Sequence, residues 1–372
     1  MRTWTVLLIL LAMALPAAAQ LDPVTEGNQL LRLRQYQGAV AAFDRALQAD
    51  GENVTALTGR AEAYVQLGEF QAALDDTATA LGVDSENADA YLWQGLANLG
   101  LENYDEAAES IEQSVALEPD PTNFVYLAQA YAIAGDVEQA VDSYTEAVAA
   151  APQEEQAAYI YTRGQFQSQI GDLEAAIADY TEAIELEPEN ADYYFSRSFA
   201  YFDLGDIERA IEDDTRVIEL QPDFPSAYLN RGFHYYSDRN YEPASADYIA
   251  WIDLLDGERF DLDPLEDGED ELDLDFATGT VYYLPFQAPQ AGVIDVQAYS
   301  RRGGVDPVVV ILDADGQPFM VDDDGGFGLS AELDGYNLPG AGDYTLVIGH
   351  AGGGSQGEVT VEIEVRRDFG DV

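Results

Sequence analysis

The sequence predicts a multidomain chain: an all-α solenoid of about seven helix-turn-helix repeats, then an all-β antiparallel sandwich or jelly roll. Three observations predict it. Residue types recur every thirty-four positions through residues 20–258. Inside each interval the apolar residues recur at helical spacing. From residue 278 onward, short alternating runs separated by Gly-containing turns replace the helical pattern.

The first element is MRTWTVLLILLAMALPAAAQ. Arg2 supplies a positive start, Val6 to Leu15 an uncharged apolar run, and Ala17-Ala18-Ala19 the small residues of a cleavage site. Residues 1–19 therefore read as a signal peptide cut after Ala19. The apolar run is well short of the roughly 20 residues that span a bilayer, and no later segment is apolar enough to do so. The mature chain is expected to be secreted, periplasmic or at the cell surface, without a membrane-spanning segment. It has no Cys, so no disulfides contribute.

The chain carries 71 Asp and Glu against 16 cations, all of them Arg, for a formal net charge of −55. Such a surface repels nucleic acid. Suitable partners are apolar, aromatic or basic proteins and peptides. With 47% apolar residues there is ample material for packed cores.

The repeats come next. Pro188 and Pro222 lie thirty-four residues apart, as do Gly171 and Gly205, and Ala176 and Ala210. Upstream, Tyr36, Phe70 and Tyr104 keep the interval, with Ala39, Ala73 and Ala107. Seven copies fit: 20–53, 54–87, 88–121, 121–154, 157–190, 191–224 and 225–258, with two extra residues near Glu155-Gln156. In the fifth copy, Leu173, Ala176, Ile177, Tyr180 and Ile184 mark an amphipathic helix. The helix before it stops at Gly171, and Pro188 closes the unit.

Gly164, Gly171, Ala176, Tyr180, Ala183 and Pro188 together resemble the tetratricopeptide repeat family. The resemblance covers about 240 residues. It implies paired helices, a concave groove that binds peptides or proteins, and no enzymatic activity. Ser85 and Asp256 stand where the family usually has Pro, and Trp251 where it usually has Ala. No polar helix follows the seventh copy, so something else must cover the end of its core.

Residues 259–277 read as an acidic linker, since eleven of the twenty residues 256–275 are Asp or Glu. The second domain then spans 278–372. Seven runs read as strands: 280–288, 292–300, 306–314, 317–322, 328–333, 343–350 and 358–366. Gly292, Asp306-Pro307, DGQPFMVDDDGG (315–326) and LPGAGDYTLVI (338–348) resemble the bacterial pre-peptidase C-terminal domain. That resemblance implies an appended module that aids secretion or surface attachment.

One charge pattern cuts across the repeats. Arg60, Arg163, Arg197 and Arg231 occupy one repeat position, and sixteen residues downstream stand Asp76, Asp179, Asp213 and Asp247. The other three copies lack both members: Glu26 with Ala42, Gln94 with Ser110, and Leu127 with Ser143. This linked presence predicts an ion pair between the two helices of a copy or across to a neighbour.

The sequence nominates no catalytic residue. It has only His234 and His350, no Gly-x-Ser-x-Gly, and no His pair at zinc spacing. No cofactor is required. Calcium is the one candidate, at Asp306, Asp313, Asp315, Asp322, Asp323 and Asp324 on neighbouring turns, although Asp-Gly favours tight turns without a metal.

Carrying the family's groove positions onto this chain selects Tyr161 and Gln165 in the fifth copy. It selects Phe195, Phe199 and Phe202 in the sixth, and Leu229, Phe233 and Tyr236 in the seventh. The groove turns aromatic toward its C-terminal end, as recognition surfaces do. An alternative reading makes the sandwich a carbohydrate or polymer reader through Tyr282, Tyr283, Tyr299, Phe319, Phe327 or Tyr336, with the solenoid as spacer.

Overall fold

Fourteen helices form where the thirty-four-residue interval places them. The computed structural model describes residues 21–255, 259–265, 269–277, 280–289, 292–322, 330–350 and 357–367; the expected signal peptide lies outside these. The chain divides into two compact units, Met1–Tyr159 and Ile160–Val372.

The first unit holds four helical hairpins: α1 (Pro23–Arg32) with α2 (Tyr36–Ala49), α3 (Val54–Leu67) with α4 (Phe70–Val83), α5 (Ala88–Gly100) with α6 (Tyr104–Leu117), and α7 (Pro121–Ala134) with α8 (Val137–Ala150). Side chains cap the helix starts: Asp22, Asn53, Asn87 and Asp120 each accept from the backbone N–H groups of the first turn. Pro sits at the first position of α1 and α7, where no N–H is needed. Alanines at the repeat positions, Ala39, Ala73 and Ala107, are fully buried and let neighbouring helices approach.

The second unit begins within α9 (Gln156–Gln169) and continues with α10 (Leu173–Leu186), α11 (Ala191–Asp203), α12 (Ile207–Leu220), α13 (Pro225–Ser237) and α14 (Tyr241–Leu254). The turn inside each hairpin demands a left-handed residue. Gly68, Gly135, Gly171 and Gly205 supply it at φ of 75–88°, and the other three hairpins use Arg34, Glu102 and Arg239 at φ of 55–63°.

Nine strands follow in the described residues: β1 (Arg259–Asp261), β2 (Glu269–Phe276), β3 (Val281–Ala288), β4 (Gly292–Gly303), β5 (Pro307–Leu312), β6 (Pro318–Asp322), β7 (Ser330–Asn337), β8 (Gly342–His350) and β9 (Gly357–Arg367). One sheet runs β1-β3-β8-β5-β6, the other β2-β9-β4-β7. All pairings are antiparallel except β1 with β3. Alternate residues of both sheets, such as Leu284, Ile294, Ile311, Leu346 and Val361, form the core between them.

The acidic segment expected as a linker is a correction, because it carries β1 and β2. In β2, Leu274 and Phe276 point into the core while Glu271, Asp273 and Asp275 face solvent. The charged residues occupy one face of a period-two strand, which their density along the sequence conceals.

The outer face of the five-stranded sheet covers the last repeat. Tyr248, Trp251, Ile252 and Leu255 pack against Val281, Val308, Val310 and Val347. A Cβ added to Gly349 would lie 2.9 Å from the Trp251 ring. The Trp that departs from the repeat pattern is therefore the residue that reaches the sheet, and the sheet takes the place of a capping helix.

Candidate peptide-binding face

Phe195, Phe199 and Phe202 stand at i, i+4 and i+7 on α11, so they share one helix face. The Phe195 and Phe199 rings meet edge to face at 5.0 Å, and Phe195 also contacts Phe224 at 5.3 Å. Phe202 contacts Phe233 of α13 at 5.3 Å. Phe199 is 45% exposed although its ring is held by an aromatic neighbour. These four rings form a wall across α11 and α13. Gln165 is exposed on α9.

The other nominated groove residues do different work. Tyr161 is half-buried; its hydroxyl lies 2.8 Å from Ser196 Oγ and its ring 4.8 Å from Tyr193, so it ties α9 to α11. Leu229 is only 4% exposed, and with Tyr236 it packs into the seam between the last repeat and the sheet. Leu229 is therefore closed to a partner, while Tyr236 keeps part of its surface exposed.

All four Arg–Asp pairs exist with the same geometry. Nε donates to Oδ2 at 2.8 Å in each, and Nη2 to Oδ1 at 2.7–2.8 Å. Three of the arginines also reach the second helix of the preceding copy: Arg60 Nη1 to Asp44 at 2.5 Å, Arg197 Nη1 to Thr181 at 2.9 Å, and Arg231 Nη1 to Thr215 at 3.1 Å. Each of these guanidiniums thus joins three helices. Burial pushes the Asp213 and Asp247 carboxyls above their ordinary value, against the opposing pull of their arginines. Hydrogen bonding to Asp179 holds Arg163 more firmly charged. In the third copy the neutral equivalents also meet, Ser110 Oγ to Gln94 Oε1 at 3.3 Å.

A "TPR repeat" family model matches residues 168–205 and 199–238, and a "Tetratricopeptide repeat" model matches 24–80, 61–124 and 99–155. Together they account for more than half of the chain. It belongs to the tetratricopeptide repeat family.

Relatives of this repeat protein include rat (Rattus norvegicus) sperm-associated antigen 1, 37% identical over 95 residues, which are 26% of this chain and 11% of that one. Pea (Pisum sativum) translocon at the outer membrane of chloroplasts 64 is 35% identical over 94 residues, 25% of this chain and 16% of that one. The chain therefore spans a small part of either relative. Among solved structures, the C-terminal part of a TPR repeat-containing protein from Cytophaga hutchinsonii aligns with TM-score 0.54 at 15% identity, covering 62% of this chain and 95% of that one. That likeness concerns the fold. The tetratricopeptide family is a protein-interaction scaffold family.

Reasoning from sequence missed a buried polar network in this repeat array. Asp214 is fully buried on α12. Its Oδ1 accepts from Asn230 Nδ2 at 2.9 Å, and its Oδ2 lies 2.7 Å from His234 Nδ1. Asn230 also donates to Ser198 Oγ at 3.2 Å. The His234 ring stacks on Phe202 at 4.5 Å, directly behind the aromatic wall. The signal was available: Asp214 sits thirty-four residues from both Tyr180 and Tyr248, which are buried rings in the neighbouring copies.

Of the nominated calcium residues, Asp323 and Asp324 and the Asp322 side chain lie outside the described residues. Asp313 Oδ1 accepts from the backbone N–H of Asp315 and of Gln317, both at 2.9 Å, closing the turn. Among the described residues no three carboxylates gather as a metal site.

Proposed function

We propose that this protein is an exported, non-enzymatic scaffold that captures a protein or peptide on the aromatic wall of α11 and α13. The observation that carries this reading is Phe199, held by Phe195 yet 45% exposed, beside Phe202 and Phe233. An exposed ring set among partly buried ones is the kind of aromatic cluster that supplies much of the energy at protein interfaces. A partner with apolar or aromatic anchors and basic flanks suits both the rings and the net charge of −55. Arrayed peptides with and without aromatic anchors test it. Phe199→Ala with Phe233→Ala should abolish capture of the aromatic, basic set while the fold survives by circular dichroism. Undiminished capture would remove the reading's support.

The sandwich, which resembles a pre-peptidase C-terminal domain, fits a role in stabilising the array and holding it outside the cell. Export is tested by expression in a bacterial host and N-terminal sequencing of the released chain, which should begin at Gln20. No cofactor enters this reading. An upward shift in melting temperature at millimolar Ca²⁺ would add a metal to it.

The carbohydrate alternative draws less support. Tyr282 is buried with its hydroxyl donating to the Asp275 carbonyl. Tyr283 packs in the α14 seam, Tyr336 packs against the sandwich core, and Tyr299 donates to Glu362. The Phe319 side chain and Phe327 lie outside the described residues.

A further inference from the structure

The five-stranded sheet has two halves on its outer face. Around Val281, Val308, Val310 and Val347 it is sealed by α14. Side chains alternate between the faces of a strand, so the same outer face continues along β3 to Pro285 and Gln287, and along β8 to Thr345 and Asp343. Among the described residues no helix covers it there. A cavity of about 540 Å³ opens at this end of the sandwich, lined by Pro264, Leu265, Pro285, Gln287, Asp313 and Asp343 and bordered by the core-facing Phe286 and Tyr344. Leu265 is fixed there because its N–H donates to the Pro285 carbonyl at 2.9 Å, extending the β1 edge along β3.

The polar lining has a definite sense. Asp343 and Asp313 are acceptors only. Asp313 is locked by its two backbone hydrogen bonds through Oδ1, which leaves Oδ2 for a ligand. Gln287 uses its Nε2 to donate to Asp343 Oδ1 at 3.0 Å, so its acceptor end remains. A sugar hydroxyl both donates and accepts and would find few side-chain donors. A guanidinium has five donors and no acceptor, and its methylene stem packs on apolar walls. The volume lies in the range of ligand pockets.

We propose that this cavity is a second binding site, which takes an arginine side chain of a partner peptide. The guanidinium sits between Asp313 and Asp343, and its stem lies on Pro264, Leu265 and Pro285. The site stands on the sandwich alone and does not depend on the aromatic wall of the repeats.

The test uses the full mature chain at physiological salt, where diffuse attraction is screened within about 8 Å. The probes are Ac-Ala-Arg-Ala-NH₂ and its citrulline analogue, which keeps the shape and loses the charge. Binding is read by chemical-shift perturbation. The arginine peptide should bind at least about tenfold more tightly than the citrulline peptide. Asp343→Asn should remove that preference. Gln287→Arg, which places a guanidinium of the protein's own beside Asp343, should also remove it, by a route that does not delete a carboxylate. Phe199→Ala should leave it intact, which separates this site from the groove. Asp203→Asn, an exposed acid on α11, serves as the control for general charge. Equal binding of the two peptides, unchanged binding in both cavity variants, or equal weakening by Asp203→Asn would overturn the proposal.

Discussion

Arg231 of α13 and Asp247 of α14 face each other as fork and carboxylate, with two parallel hydrogen bonds of 2.8 and 2.7 Å. The pair is mostly shielded from solvent, and the third arm of Arg231 holds Thr215 of the preceding copy. A planar guanidinium suits this task, and a point-charge ammonium does not. Asp247→Ala strands Arg231 and should cost about 3–5 kcal/mol. Arg231→Ala with Asp247→Ala should cost less than the sum of the single changes in urea titrations. Additivity would mean that the pair does not interact in solution.

The hairpin turns offer a change in the opposite direction. Glu102 holds a left-handed conformation at φ 63°, on an exposed turn where four other copies place Gly. The Cβ makes that conformation costly, by about 1–2 kcal/mol. Glu102→Gly should therefore raise stability by about 1 kcal/mol, less the entropy that Gly loses on folding. A melting temperature that falls instead would show that the Glu102 side chain earns its place by a contact.

Much of this architecture was legible because the repeat reports itself many times. Fourteen helices and four ion pairs follow from local rules repeated at thirty-four, and seven of the nine described strands follow from alternating residues set between turn signals. What escaped the sequence was decided by long-range packing. Leu229 and Tyr236 hold the same repeat positions as Phe195 and Phe202, but in the seventh copy they pack in the cluster that the sheet shares with α14, and Leu229 is buried there. In the same way β2 is hidden by its own charge, because its apolar face matters only once β9 lies beside it. Asp214 and His234 lie twenty residues apart and meet only when two copies stack.

Buried tyrosines set an alkaline limit. Burial pushes the Tyr180 and Tyr193 phenols up to about 12 from the ordinary 10.0. The folded state therefore favours the neutral phenol. The resulting stability is fully present below about pH 10 and is lost as the pH rises toward 12. Tyr180→Phe keeps the ring against Tyr161 and removes the ionisation. Melting temperatures between about pH 9 and 12 should fall less steeply in this variant. An unchanged slope would assign alkaline unfolding to other groups.

The contact between Trp251 and Gly349 joins the last repeat to the sandwich, and volume changes on its two sides should compensate. Trp251→Ala empties the centre of the α14 seam and should cost about 3–5 kcal/mol. Gly349→Ala inserts a methyl where the Trp251 ring lies only 2.9 Å away, and should cost about 1–3 kcal/mol by overpacking. With the ring gone, that methyl meets only Leu255 Cδ1 at 3.5 Å, an ordinary contact. The double variant should be no less stable than Trp251→Ala alone, so the cost of Gly349→Ala disappears in that background. Hydrogen exchange should show α14 and β8 losing protection together in Trp251→Ala. Loss confined to α14, with β8 unchanged, would mean that the sheet stands without the repeat it covers.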